Sequence, residues 1–430
     1  MKKIRIIALL LAALTMTVAF TGCGESAAPE TDFDSSVDSA QTFAPTETST
    51  ETSTETSTET PTEIPTEPAG DSEGLEFTLR YAATGNGATD YEASGYEVAG
   101  IGTCTDKHIV IPSEFEDLPV IGIGNNAFDG CDALTAVTIP DSVTSIGDRA
   151  FRGCSGLTRI MIPDSVTNIG YDAFFECISL TSMTIPNGIT TINGAAFYNC
   201  GGLTSITIPD GVTSIGNDAF YGCGGLTSIT IPDGVTSIGA YAFQGCFGLT
   251  SMTIPDGVTS IGDGTFEGCF GLTSMTIPDS VTSIGSAAFS RCSALTDVTI
   301  PDGVTIIGAG AFFCCESLTS ITIPDGVTII GAGAFSQCSG LTDITIPDGV
   351  TELHDRTFSD CKNLTRVTIP GSVRIIGDRA SGDGTFEGCE KLASIFFDGT
   401  MDAWKRITKM ERWAKNTGNI IIYCTDGTIS

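Results

Sequence analysis

Apolar residues recur at fixed intervals along most of this chain, and the stretch from Leu203 to Cys223 shows the interval most cleanly. Leu203, Ile206 and Ile208 are separated by polar residues, and this alternation predicts a short strand with one buried face. A Pro-Asp-Gly tripeptide follows directly, which is typical of a tight turn. The first half of the repeating unit is therefore predicted to be a strand and a turn.

The second half of the unit carries two more apolar groups. Val212 and Ile215 predict a second short edge, and Ala219 with Phe220 predicts an inward-facing, helical or 3₁₀-like bend that ends at Cys223. One unit is too small to bury these side chains alone. We therefore expect the units to stack, so that each covers the apolar face of its neighbour.

The unit repeats every 23 residues from Ile111 to about Phe397. Cysteines mark the register, because they are spaced 23 residues apart from Cys131 to Cys361, and Cys389 follows after 28 where five residues are inserted. A period of this length predicts a repeat solenoid, mainly β, in which stacked coils contain short parallel strands and helical or 3₁₀ bends. Twelve coils at about 4.8 Å each predict a stack about 55 Å long.

The consensus Leu-x-x-Ile-x-Ile-Pro-x-x-Val-x-x-Ile-Gly-x-x-Ala-Phe-x-x-Cys closely resembles the BspA-like class of bacterial leucine-rich repeat, from about Val98 to the C-terminus. The flanks resemble this class too, which implies an N-terminal cap around Tyr96–Leu118 and a C-terminal cap that begins at Phe397. Members of the class include surface adhesins for host proteins and other bacteria. The resemblance therefore implies adhesion or recognition at the cell surface.

The N-terminus has the features of an export signal, with basic residues before an apolar run from Ile6 to Phe20. At about 15 residues, this run is shorter than the roughly 20 that span a bilayer, so a retained membrane helix is the weaker interpretation. The Thr-Gly-Cys that ends at Cys23 resembles a bacterial lipobox. We predict that Cys23 is lipidated and that the mature protein is a secreted lipoprotein anchored to the membrane at the cell surface. Plain secretion is the alternative.

A low-complexity segment of Thr-Glu-Thr-Ser units lies between Pro45 and Pro68. It has too few large apolar residues to fold, so we expect an extended, disordered spacer. The chain is therefore divided into a signal peptide (1–22), a lipid-anchored disordered Thr/Ser/Glu/Pro stalk (23–74), an N-terminal cap with the first coil (75–130), the leucine-rich repeat solenoid (131–396) and a C-terminal cap (397–430).

The chain is strongly acidic, with 52 Asp and Glu against 20 Lys and Arg and a net charge of −32. Nucleic acid is excluded as a natural partner, because the chain has no basic surface for phosphates. Aspartates recur at the Pro-Asp turn, where they can cap backbone amides, and calcium along this row is the alternative interpretation. The row consists of Asp141, Asp164, Asp210, Asp233, Asp256, Asp279, Asp302, Asp325 and Asp348. We predict no cofactor and no specific metal site.

The cysteine row is predicted to consist of buried, reduced thiols. Fifteen cysteines remain once Cys23 is set aside, and an odd number cannot pair completely within one chain. Identical side chains in an in-register stack also point the same way, which gives poor disulfide geometry. Single cysteines 23 residues apart do not make a zinc site either. Cys104, Cys314 and Cys424 lie outside the row and are left unassigned.

No catalytic constellation is apparent. The two histidines, His108 and His354, lie on different coils without a nucleophile and an acid nearby in sequence. The enzymatic alternative is a polysaccharide-cleaving β-helix that uses the aspartate row, but such a site needs irregular loops and the internal coils here have equal lengths. We predict that the chain is not an enzyme.

If the repeated positions form the scaffold, we expect ligand-binding residues at the positions that vary between coils. The candidate ligand-binding residues are the variable aromatics near the Ala-Phe bend, with Tyr expected to be more exposed than Phe: Tyr171, Tyr198, Tyr221, Tyr241, Phe247 and Phe270. The alternative is that they seal the core, and a partner then docks on Ser205, Ser228, Ser251 and Ser274. Two functions stay open: a binding module for an extracellular protein, or a glycan-binding or envelope-structural protein.

The lipobox prediction is tested by the substitution Cys23→Ala. Without the thiol no diacylglycerol can be attached, so we expect the variant to leave the membrane fraction and appear mostly in the culture medium. Cell fractionation and the electrophoretic mobility of the mature protein measure this. A variant that stays in the membrane fraction with unchanged mobility contradicts lipidation at this residue.

Overall fold

The computed structural model describes residues 70–83, 91–377 and 384–430. The signal peptide, Cys23 and most of the stalk lie outside these ranges and stay predictions, and so does most of the five-residue insertion at 380–384. Within the described ranges, no helix has the length and hydrophobicity needed to cross a bilayer.

The predicted parallel-strand solenoid is confirmed, and its first row of strands lies where the Leu-x-x-Ile-x-Ile pattern places it. Strands one period apart pair in parallel and in register, as Ser182 does with Ser205. Residues 228–230 and 320–322 lie in the same row without strand pairing. The strands of this first row are His108–Val110, Ala136–Thr138, Arg159–Met161, Ser182–Thr184, Ser205–Thr207, Ser251–Thr253, Ser274–Thr276, Asp297–Thr299, Asp343–Thr345, Arg366–Ile369, Ser394–Phe397 and Ile421–Cys424.

A second row of strands, most of them two residues long, follows the turn of each coil. In the two-residue strands from Ser145–Ile146 to Ile375–Ile376 the second residue faces inward and is buried, as Ile215 is, while its neighbour Ser214 faces out. The strands of this second row are Leu118–Ile123, Ser145–Ile146, Asn168–Ile169, Thr191–Ile192, Ser214–Ile215, Ser237–Ile238, Ser260–Ile261, Ser283–Ile284, Ile306–Ile307, Ile329–Ile330, Glu352–Leu353, Ile375–Ile376 and Thr408–Lys409.

The bend that closes each coil is a series of turns rather than a helix. In one coil, Asp218 and Gly222 both have positive φ, at 58° and 68°, and such residues interrupt a right-handed helix. The Phe220 amide donates forward to the Ala242 carbonyl of the next coil at 2.8 Å. The bends are therefore hydrogen-bonded from coil to coil, and these bonds replace the bonds that a helix would make within itself.

A column of stacked phenylalanines forms the centre of the core. One ring comes from each coil, all are fully buried, and neighbouring centroids lie 5.2–5.7 Å apart. The members are Phe128, Phe151, Phe174, Phe197, Phe220, Phe243, Phe266, Phe289, Phe312, Phe335, Phe358 and Phe386. Because each ring touches the rings before and after it, a single coil contributes to two interfaces.

The cysteine row lies beside this column and is buried from Cys154 to Cys389, as predicted, whereas Cys131 at its start is partly exposed. Cys223 Sγ donates to the Phe197 carbonyl of the preceding coil at 3.1 Å, and the same contact recurs from Cys154 to Cys389. Burial raises the pKa of Cys200 to about 12, which keeps the thiol protonated and able to donate. Each of these carbonyls also accepts from a backbone amide, as Phe197 does from Cys200 at 3.2 Å, so the thiol supplies a second donor from the next coil.

Both ends of the stack carry caps. At the N-terminal end, the strands Glu76–Ala83 and Tyr91–Gly100 form an antiparallel pair, and Tyr91–Gly100 also pairs in parallel with Leu118–Ile123. The short strand Glu114–Phe115 folds back on Leu118–Ile123. Phe115 stacks on Phe77 there, with centroids 4.1 Å apart.

At the C-terminal end, the helix Met401–Arg406 begins at Thr400, whose hydroxyl accepts from the Ala403 amide. The strand Gly427–Ile429 pairs antiparallel with Ile421–Cys424 and closes the first row. Trp413 lies edge-on against Phe386 at 6.3 Å and covers the end of the phenylalanine column. These contacts give the C-terminal cap a direct role in shielding the last coil.

Truncation after Ile395 removes Trp413 and the strand Ile421–Cys424, so it exposes the end of the column and an unpaired strand edge. We expect aggregation, or loss of amide hydrogen-exchange protection that begins in the last coils. The control is Lys405→Ala, an exposed position in the same cap that should match the wild type. A truncated protein as soluble and as protected as the full chain would show that these residues are not a cap.

Alkylation with iodoacetamide at about pH 8 tests the burial of the thiol row. We expect no labelling of the row cysteines between Cys154 and Cys361 in the native protein, because these thiols are buried and protonated. Labelling is expected at the partly exposed Cys131, Cys314 and Cys424. Denaturation without reductant should make every row thiol reactive. Mass spectrometry of the peptides reads both states, and row thiols that stay blocked after denaturation would indicate disulfides.

Candidate functional site

Three of the variable aromatic positions form a second stacked column on the outside of the bend. Phe175 and Tyr198 stack with centroids 4.5 Å apart, and Tyr198 and Tyr221 stack at 4.4 Å. Each follows a core phenylalanine directly, so the register that stacks the core also stacks these rings. The Arg152 guanidinium lies over Phe175 at 5.3 Å. We call Phe175, Tyr198 and Tyr221 the aromatic column.

Tyr171 and Tyr241 lie at two other positions of the repeat, so the four candidate tyrosines do not form one line. Their exposed fractions are 59% and 39%. The Tyr241 ring lies over Gly264 of the next coil, where an added β-carbon would approach Tyr241 Cδ1 to 2.3 Å. Tyr171 lies against Gly194 in the same way. A glycine one period after the aromatic therefore makes room for its ring.

Phe247 and Phe270 follow the core cysteines directly and stack on each other at 5.5 Å. Phe247 also lies against Gly224 of the preceding coil. Their exposed fractions are 53% and 47%, whereas Tyr198 and Tyr221 are half-buried. The expectation that tyrosines are the more exposed was wrong for these four residues, because Tyr198 and Tyr221 are covered by stacking within the column.

A groove of roughly 570 Å³ runs beside the aromatic column. Its floor consists of positions where many coils have glycine, and two of its lining residues, Asn199 and Gly222, directly follow the two column tyrosines. The lining residues are Gly130, Asp132, Gly153, Ser155, Glu176, Ile178, Asn199, Gly201 and Gly222. Sequence reasoning missed this groove, although the small residues at 153, 155 and 201 close to the aromatic positions are the signal that indicates it.

The BspA type leucine rich repeat region matches residues 121–246, 213–339 and 305–408. The chain belongs to this family. A leucine-rich repeat protein from Bacteroides ovatus is 27% identical over 80% of this chain and 98% of that chain, with a TM-score of 0.56. A leucine rich cell surface protein from Faecalibacterium prausnitzii is 29% identical over the same shares, with a TM-score of 0.47. No match was found among curated proteins.

The middle of this BspA-type solenoid is acidic and has no basic residues, because no Lys, Arg or His occurs from Ile160 to Ser290. Arg149 pairs with Asp172 at 3.1 Å just before the aromatic column, and Arg291 follows it. Burial raises the pKa of Asp218 and of Glu267. The charge of Arg291 partly offsets this rise for Glu267. Between these arginines the sequence supplies carboxylates and no basic residue, so this stretch of the bend edge is acidic.

The remaining candidates for chemistry stay apart in the BspA-type stack. The aspartates of the Pro-Asp row are at the surface, one per coil, at the turn where the sequence places them. In the ranges that the structure describes, no three His, Cys, Asp or Glu side chains are grouped so as to hold a metal ion. His108 lies against the Thr138 hydroxyl at 3.0 Å, many coils away from His354.

Proposed function

We propose that this member of a family of bacterial surface leucine-rich repeat proteins is a recognition protein that binds a host or microbial protein at the cell surface. The binding surface is the bend edge that carries the aromatic column and the groove beside it. The observation that supports this most directly is the stacking of Phe175, Tyr198 and Tyr221 along that groove. Cys23, as the lipidated residue, attaches the chain to the membrane.

The orientation of the rings favours a protein ligand over a glycan. Sugar rings bind aromatic side chains by lying flat on a free ring face, but in the column most faces are covered by the neighbouring ring at about 4.5 Å. What the column offers is ring edges and the tyrosine hydroxyls. Edges and hydroxyls suit edge-to-face contacts and hydrogen bonds with protein side chains, and Tyr is a frequent anchor in protein interfaces.

A binding role without catalysis is also supported by the regularity of the coils. The internal coils keep one length up to residue 361, so the edge has no long loops that gather an acid, a base and a nucleophile from different coils. The carboxylates of the aspartate row are exposed to water at the regular turns rather than gathered in a cleft.

A glycan-binding or envelope-structural role is the second candidate, and a different surface supports it. On the first row, outward serine and threonine side chains line a shallow depression of roughly 380 Å³ that contains no charged residue. Its hydroxyl groups are Ser228, Thr230, Ser251, Thr253, Ser274 and Thr276. Hydroxyl groups in rows are suited to hydrogen bonds with a polar polymer, although without aromatic faces or charge each bond contributes little.

The proposal is tested by probing arrays of matrix proteins, bacterial surface proteins and glycans with the chain and with two variants. In one variant, Tyr171, Tyr198, Tyr221 and Tyr241 are replaced by Ser. Since an aromatic anchor often contributes about 2 kcal/mol, we expect binding to the protein found on the array to weaken at least thirtyfold. Thermal unfolding of each variant is measured alongside.

The matched variant replaces Ser205, Ser228, Ser251 and Ser274 with Ala and should bind normally. If the tyrosine variant binds normally and the serine variant does not, the partner docks on the first row instead. If the tyrosine variant loses thermal stability but keeps binding, the rings serve to seal the core. A glycan as the ligand found on the array favours the second candidate.

A further inference from the structure

Two carboxylates lie near the aromatic column. Glu176 follows Phe175 directly and lines the groove, and Asp218 comes two residues before the core residue Phe220. Both carboxylates raise the pKa of Tyr198. Burial of this tyrosine raises its pKa most, and the neighbouring Tyr221, Asp218 and Glu176 raise it further. The Tyr198 hydroxyl therefore lies within the electrostatic reach of two carboxylates.

The column is continued by polar residues rather than by another ring. Gln244 and Glu267 occupy the next two places in the same line, and the Gln244 amide donates to Glu267 at 3.0 Å. Burial raises the pKa of Glu267 and of Asp218, because the ionised carboxylate is less well hydrated there than in open water. A cation placed beside them would stabilise the charged forms.

The stretch of sequence that contains these carboxylates has no basic residue. From Ile160 to Ser290 the only charged residues are carboxylates: Asp164, Asp172, Glu176, Asp210, Asp218, Asp233, Asp256, Asp263, Glu267 and Asp279. Arg149 and Arg291 lie outside this stretch and reach Asp172 and Glu267. An anionic partner is therefore repelled by this edge, and a cationic one is attracted.

Two arginine side chains of this protein lie over aromatic rings. Arg152 lies over Phe175 at 5.3 Å, at the first end of the aromatic column. Arg366 lies over Phe396 at 4.5 Å, and Phe396 stacks on Tyr423 at 4.8 Å. A guanidinium suits these places because it stacks on ring faces and also pairs with carboxylates.

We propose that the bend edge that carries the aromatic column and the groove beside it binds an extended, arginine- or lysine-bearing segment of the partner protein, whose cations pair with Glu176, Asp218 and Glu267. This inference rests on the proposed function and adds the chemistry of the partner. Glu176 and Glu267 are four coils apart, which is about 19 Å at the usual strand spacing. An extended segment of about six residues covers that length.

The experiment measures binding of fluorescent peptides to the full chain by anisotropy. The probes are 12-residue peptides of alternating Gly with Arg, Gln or Glu. We expect only the Gly-Arg peptide to bind, and its affinity to fall as NaCl rises from about 20 to about 300 mM, because salt screens exposed charges. Binding of the Gly-Glu or Gly-Gln peptide with equal affinity would overturn the proposal.

Two charge-matched variants locate the interaction. In the edge variant, Glu176→Gln, Asp218→Asn and Glu267→Gln remove three carboxylates beside the column. In the turn variant, Asp210→Asn, Asp233→Asn and Asp256→Asn remove three from Pro-Asp-Gly turns of the same region. Both keep the acidic stalk, so its contribution to peptide binding cancels. We expect the edge variant to bind the Gly-Arg peptide at least tenfold more weakly and the turn variant less than twofold.

Equal weakening in the two variants would mean that the peptide follows net charge alone, and the inference would then be wrong. Circular dichroism and thermal unfolding show whether either variant is folded, and Tyr198→Phe, which keeps the ring, should retain peptide binding if the fold is intact. If no Gly-Arg peptide binds while the tyrosine variant still loses its array partner, the basic-segment inference fails and the proposed protein recognition stands.

Discussion

The in-register stacking of identical residues at a period of 23 is the constraint on which the rest of the structure depends. The Phe220 amide reaches the Ala242 carbonyl, and the rings of Phe220 and Phe243 stack, only because the two coils place equivalent atoms about one strand spacing apart. A change of one residue in coil length displaces all of these partners together. This explains why inserted residues occur at 380–384, next to the C-terminal cap, rather than in the middle of the stack.

The sequence predicted the solenoid, the two strand rows and the buried thiols because each follows from periodicity alone. It did not predict the turns of the bend, since the inward pattern of Ala219 and Phe220 fits a helix equally well and only the positive φ of Asp218 and Gly222 distinguishes them. The candidate aromatics were found as variable positions, but their grouping was not. Two aromatics of neighbouring coils stack when they occupy the same position of the 23-residue unit. Tyr198 and Tyr221 do so, whereas Tyr241 occupies a different position.

The stacked geometry also bears on the proposed binding surface. The aromatic column is held in place by the same register as the core, so its rings are ordered before any partner arrives. A pre-ordered surface loses less conformational entropy on association than mobile side chains do. The shape of the groove is fixed in the same way, because its floor is largely backbone at glycine positions such as Gly201 and Gly222.

The thiol contact gives the stack a direction. Each cysteine donates to the coil before it, as Cys223 does to the Phe197 carbonyl, while the bend amides donate to the coil after it. Every internal coil therefore presents one fixed set of donors and acceptors on its leading face and the complementary set on its trailing face. Because neighbouring coils present the same faces, a whole unit of 23 residues can be gained or lost and the new junction reproduces the bonds of the old one. The length of the solenoid is thus free to evolve while its bonding is conserved.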